Sequence, residues 1–233
     1  GLGDVYKRQV LTWEYAPGSD FPVNKEAPMT TRTLTSLYDT YEDATRTVQD
    51  LEAAGIPHAD ISMVANNADN RYASAEPRDA TSGAGTGASI GAALGGGAGL
   101  LAGLGLLAIP GVGPVVAAGW LVATAVGAIA GGGVGAASGG LISSMTSAGI
   151  DKDHAHVYAE GVRRGGTLVT VRVAEIQATM VESIMRRNNP VDPGVRGKAY
   201  RDSGWTTFDE SAAPYAAADI ERERALYRDD RVR

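Results

Sequence analysis

Cysteine is absent from the 233 residues. Disulfides, thiolate nucleophiles and Cys-ligated metals are therefore excluded, and no redox compartment can be read from the chain. Phenylalanine is scarce, at 2 residues, which leaves aromatic packing to 9 Tyr and 3 Trp. Basic residues are in deficit: 21 Lys and Arg stand against 27 Asp and Glu, for a net charge of −6 and a pI near 5.1. That balance lacks the basic footprint of a nucleic-acid binder, and no nucleic-acid partner is expected. No apolar core of the length a secretory signal needs lies in the first 30 residues, so none is read there. The widest gap is in charge itself. From Ala80 to Ile150 there is no Asp, Glu, Lys or Arg, and all 48 charges lie outside those 71 positions.

Glycine fills the gap, with 21 of the 31 glycines inside it. Gly83, Gly87, Gly91, Gly95, Gly99 and Gly103 recur every fourth residue. Gly119, Gly127, Gly131, Gly135 and Gly139 form a second ladder, with Ala123 at its missing rung. A four-residue period is close to one helical turn, so each ladder marks a groove along a helix where another backbone approaches closely. Residues 90–109 and 115–134 are each 20 long, about 30 Å as helix, the thickness of a bilayer's hydrocarbon layer. Pro110 to Pro114 breaks the run. The expectation is a glycine-zipper helical hairpin over 83–147, a membrane segment with Gly87, Gly91, Gly95, Gly99, Gly103, Gly127, Gly131, Gly135 and Gly139 as its helix-packing residues. In water glycine costs a helix about 1 kcal/mol per residue, whereas hydrocarbon forces the backbone to pair with itself. A hairpin buried in a soluble assembly and a flexible glycine-rich segment are the alternatives. Trp120 is read as a packing residue or an interfacial anchor.

The charged flanks read as a folded domain. Residues 33–38 (TLTSLY) predict a strand. Asp39 or Thr40 caps a helix with Tyr41, Ala44, Val48 and Leu51 on its apolar side, and Gly55 ends it. Residues 60–65 predict a second strand, which completes a β-α-β half over 30–66, and 67–82 is a polar linker. Beyond the gap, 151–164 predicts a helix with an acidic first turn and a basic last one. A strand follows at 167–173, its residues alternating between two faces. Residues 175–187 predict a helix with Ile176, Met180, Val181 and Ile184 inward, and a weak strand is expected near 195–200. This second, αβαβ, half spans 148–200. The expected fold is α+β: a ferredoxin-like βαβ-αβ(αβ) domain, with helices on one face of an antiparallel sheet, interrupted by the Gly-rich apolar hairpin. Residues 201–233 form a separate charged tail with a short helix over 215–228, read as a solvated face with a docking element as the alternative. Residues 1–29 lie outside the expected fold. The stretch GLGDVYKRQ is similar to translated sequencing-adapter read-through, and Met29 is the expected native start.

Site chemistry is sparse. Gly83 to Ala88 fits G-x-G-x-x-A, but no strand precedes it and no acid follows until Asp151, so nucleotide binding is not expected. His154 and His156, at i and i+2, do not share a helix face, and with Asp151 and Asp153 they read as a hydrated helix start. No catalytic residue, metal site or cofactor is expected.

Two segments, TTRTLTSLYDTYEDATRTVQDLEAAGIPHADISMV and AGIDKDHAHVYAEGVRRGGTLVTVRV, resemble the bacterial general stress (heat-induced stress) protein domain. The marks are Ala54-Gly55-Ile56 and Tyr158-Ala159-Glu160-Gly161-Val162-Arg163-Arg164-Gly165-Gly166 before a Val-rich strand. The resemblance implies a stress-associated protein with an apolar hairpin and no established catalytic residues. The expected function is thus non-enzymatic, with a membrane and further copies of the chain as partners. The expected location is the bacterial inner membrane, with the polar domain in the cytoplasm. The alternatives are a cytoplasmic, self-associating structural protein and a small-ligand regulatory domain.

Overall fold

The computed structural model describes residues 30–69, 105–124 and 140–229. They form an α+β fold around one five-stranded, wholly antiparallel sheet. The strands are β1 (Thr31–Tyr38), β2 (Ile61–Asn66), β3 (Gly105–Ile109), β4 (Gly113–Gly119) and β5 (Thr167–Ala174), in the order β1-β5-β2-β4-β3. The helices are α1 (Tyr41–Ala53), α2 (Gly140–Ser147), α3 (Lys152–Arg163), α4 (Glu175–Arg187), α5 (Pro193–Asp202) and α6 (Ala217–Asp229).

Local chemistry sets the element ends. The Thr40 hydroxyl accepts the Asp43 N–H at 3.1 Å and starts α1, and Gly55, at φ +87°, lets the chain leave it. The Asp151 carboxylate accepts the N–H groups of Asp153 and His154 at the head of α3.

Both faces of the sheet are covered. On one face Ala44, Val48 and Leu51 of α1 and Ala178, Val181 and Met185 of α4 pack on Met63, Val169 and Val171. On the other, Leu141 and Met145 of α2 and Ala155, Ala159 and Val162 of α3 pack on Leu37, Val64, Val115 and Leu168. This corrects the one-face expectation. The strands carry the reason: all six residues of β2 are buried, which one covered face does not produce.

The apolar run is corrected in kind where it is described. Residues 105–109 and 113–119 form a β-hairpin, not the ends of two helices, with Gly105 opposite Ala117 and Ile109 opposite Gly113. The chain does reverse at Pro110 to Pro114, but β4 then adds to β2, with Ser62 opposite Gly119. A branched-apolar stretch such as Val115-Val116 suits a strand buried on both sides as well as it suits a helix, and the sheet decides. Gly119 has φ +98°, and a Cβ there would lie 2.3 Å from the Ile61 carbonyl oxygen, so it is a close-approach point between strands. Residues 120–124 turn helical directly after it.

Two further expectations change. Ile176 is 88% and Met180 41% exposed. Helix α4 turns Val181 and Ile184 inward as expected, but with Ala178 and Met185 in place of the other two. The weak strand near 195–200 is helix α5, because Asp192 caps it from Val195 N–H and Pro193 occupies its first turn. What remains of a strand beyond β1 is one bridge, in which the Val191 N–H donates to the Leu37 oxygen at 2.7 Å.

Candidate functional site

The nine helix-packing glycines from Gly87 to Gly139, and the Gly83 to Ala88 pattern, lie outside the described residues. Trp120 is a packing residue: its indole N–H donates to the Asp60 oxygen at 3.1 Å, and the Arg172 guanidinium lies 4.4 Å from its ring centroid. His154 and His156 point to different neighbours, Tyr158 and Thr207. No group of acids and histidines suited to a metal occurs among the described residues. No helix among them is long and apolar enough to cross a membrane.

Two constructions stand out. The first is a charge network at the end of α3, built by the segment from Tyr158 to Gly166. Glu160 is fully buried. Its carboxylate accepts from Arg164 Nε at 2.7 Å and from Arg163 Nη1 at 3.3 Å. Arg164 reaches Glu223 of α6 at 3.3 Å and lies 4.3 Å from the Tyr200 ring centroid. Burial works against its charge, but Glu160 and then Glu223 outweigh that and raise its pKa. Arg163 donates to the Ala213 oxygen at 3.0 Å. Arg224 of α6 spans the Gly165 oxygen at 3.0 Å and Asp69 at 2.8 Å. Arg196 holds Asp39 with two bonds, 2.8 and 3.0 Å, and its guanidinium sits 3.6 Å from the Tyr227 centroid. The tail is therefore docked. Ile220 is fully buried, with its Cγ2 where a Gly165 Cβ would need to be, and Phe208 sits in the core beside Val112. In this network each guanidinium faces a carboxylate or a carbonyl. Its chemistry is attachment of the C-terminal helix, with no nucleophile set beside a base.

The spacing around Glu160 gave no sign of this. The one signal was Arg163-Arg164-Gly165-Gly166, where two cations end a helix just before a glycine pair, matched by the alternating Glu221 to Arg224 run.

The second is a groove of about 430 Å³ along the free edge of β1, lined by Thr31, Thr33 and Thr35 and by Gly149, Asp151, His154 and Tyr158 of the α2–α3 turn and α3. Burial pushes the Tyr158 hydroxyl up to about 12, so it stays a neutral donor, at 3.4 Å from the Thr35 oxygen. Comparison of the chain with family models, with characterised proteins and with solved structures returned no match.

Proposed function

We propose that this chain is a non-catalytic structural protein of the general-stress type, and that its glycine ladders form a helix-packing element through which the α+β domain self-associates. We read the sheet as ferredoxin-like: β1 and β2 flank β5, the β3–β4 hairpin is added at one edge, and the fourth strand is reduced to the Val191 bridge.

One observation carries the reading. The β3–β4 hairpin, with Gly105 opposite Ala117 and Leu107 opposite Val115, stands in the chain between the two glycine ladders, the first ending at Gly103 and the second beginning at Gly119. Close-packed small residues then let two backbones meet, in protein as in lipid.

Chain length favours a protein partner. From Asp69 the chain returns to the sheet at Gly105, and from Thr124 it returns at Gly140 to helix α2, which packs on that sheet. An out-and-back bilayer crossing takes roughly 40 apolar residues, more than the intervals 70–104 and 125–139 hold. The length of the uncharged run favours a second reading, attachment to the bacterial inner membrane from its cytoplasmic side. Alkaline carbonate extraction separates the two. Release of the protein as an oligomer, weakened by Gly95→Leu with Gly99→Leu, is the expected result. Retention in the membrane pellet would replace self-association with the membrane reading, and oligomers unchanged by the glycine variants would remove the ladders from both.

A further inference from the structure

We infer that the free edge of β1 is a second, separate interface, at which two copies of the chain join their sheets across a two-fold axis through Thr33. This interface does not depend on the glycine ladders.

Strand β1 pairs with β5 along its whole length, from Thr31 opposite Ala174 to Tyr38 opposite Thr167, in a regular register without a bulge. Among the described residues the other edge is occupied at one point, where Val191 meets Leu37. Because the Leu37 carbonyl points outward, the alternation of the strand turns the N–H and C=O of Thr31, Thr33 and Thr35 outward as well. The Tyr158 hydroxyl reaches the Thr35 oxygen only at 3.4 Å. The devices that protect an edge are proline, an inward-pointing lysine, a bulge or a covering element. The stretch from Thr31 to Ser36 contains no proline, lysine or bulge, and the groove beside it is open.

The open stretch is complementary to itself. Antiparallel pairing about Thr33 sets Thr33 opposite its own copy and Thr31 opposite Thr35, giving three hydrogen-bonded pairs in which threonine always meets threonine. Cross-strand Thr–Thr pairs are favourable on a sheet. On the opposite face Arg32 falls against the second copy's Leu34, so the two arginines are offset. Each Arg32 is half-exposed and already lies between two acids, Glu175 at 3.5 Å and Glu182 at 3.4 Å, so the charge it brings to the joint is balanced. The Val191 bridge limits the pairing to this short stretch.

The absence of native cysteine gives a direct test on the full chain. In a hydrogen-bonded antiparallel pair the facing Cα atoms are about 5.5 Å apart, which a disulfide spans. Thr33→Cys is expected to cross-link to a dimer under mild oxidation, whereas Ile176→Cys, at a more exposed site away from this edge, is not. Thr33→Pro removes the outward N–H and leaves the bonds to β5 intact. Sedimentation velocity of that variant is expected to show dimerisation weakened roughly a hundredfold, two lost bonds at the axis, with far-UV circular dichroism unchanged. A chain that is monomeric at every concentration, or a dimer that Thr33→Pro leaves intact, overturns the assignment. An association lost with Gly95→Leu and kept with Thr33→Pro would assign it to the ladders instead.

Discussion

Glu160 is the residue whose removal reports most directly on how the C-terminal helix is held. It is an acid with no solvent contact, and it accepts from Arg164 at 2.7 Å and from Arg163 at 3.3 Å. Glu160→Ala deletes both contacts and leaves two guanidiniums that are 11% and 15% exposed. Arg164 keeps Glu223 and Arg163 keeps the Ala213 carbonyl, so neither cation is stranded. The loss should fall at the lower end of the range for breaking a buried pair, about 3 kcal/mol. For a domain of this size that is roughly 6–12 °C in Tm. Urea unfolding followed by circular dichroism measures it, with Glu221→Ala as the comparison. Glu221 is half-exposed and touches Arg224 at 3.4 Å, so its removal should cost about 0.5 kcal/mol or less. A Glu160→Ala loss below about 1 kcal/mol, or one equal to that of Glu221→Ala, would refute the view that the buried carboxylate organises the network.

Two other outcomes follow from the same packing. Gly165→Ala meets both a φ of +102° and a Cβ position 2.5 Å from Ile220 Cγ2, so it should cost about 1–3 kcal/mol in urea unfolding. Combining it with Ile220→Ala should cost less than the sum of the two, and strict additivity would mean that the two residues do not touch. Burial raises the Tyr38 and Tyr158 hydroxyls from 10.0 to about 12. A raised folded-state pKa gives stability that is complete below pH 10 and lost as pH rises to 12, roughly 2–3 kcal/mol per tyrosine. Tyr158→Phe should flatten the alkaline fall in unfolding free energy, and parallel curves for variant and wild type would contradict this.

Legibility differed from element to element for physical reasons. Strand β5 and helices α1 and α3 were readable because periodicity, cap and stop agree: Thr40 and Asp151 cap, and Gly55 and Gly165 end. The inward side of α4 was misread at Ile176 and Met180 and read correctly at Val181 and Ile184. Ile176 and Met180 satisfy a helical period, but so do Ala178, Val181 and Met185, and the small Ala178 is what lets the helix lie close to the sheet. Helix α5 carried its own signal in Asp192-Pro193, which outweighs the β-favouring Val195. The charge network was hidden because its members, Asp39, Asp69, Glu160, Arg196 and Arg224, are brought together from five separate stretches of chain.

The charge gap has a meaning that sequence alone left between two solvents. A run without ionisable groups announces a low-dielectric surrounding, since an unpaired charge there is too costly to keep. It does not say whether lipid or protein supplies that surrounding. In the described parts of the run the answer is protein: Val112, Val115, Leu121 and Met145 are fully buried, and Val116 and Leu141 nearly so. Their neighbours are Leu37, Val64, Ala155, Val162 and Phe208, all from charged flanking segments. A sheet covered on both faces needs a second apolar surface, and the uncharged run provides it. The stretch that most suggested a membrane thus contributes the β3–β4 hairpin and α2 to the core. That function also explains the tail, because Phe208 and Pro214 close over Gly111 and Gly113 at the hairpin tip, where each glycine leaves too little room for a Cβ.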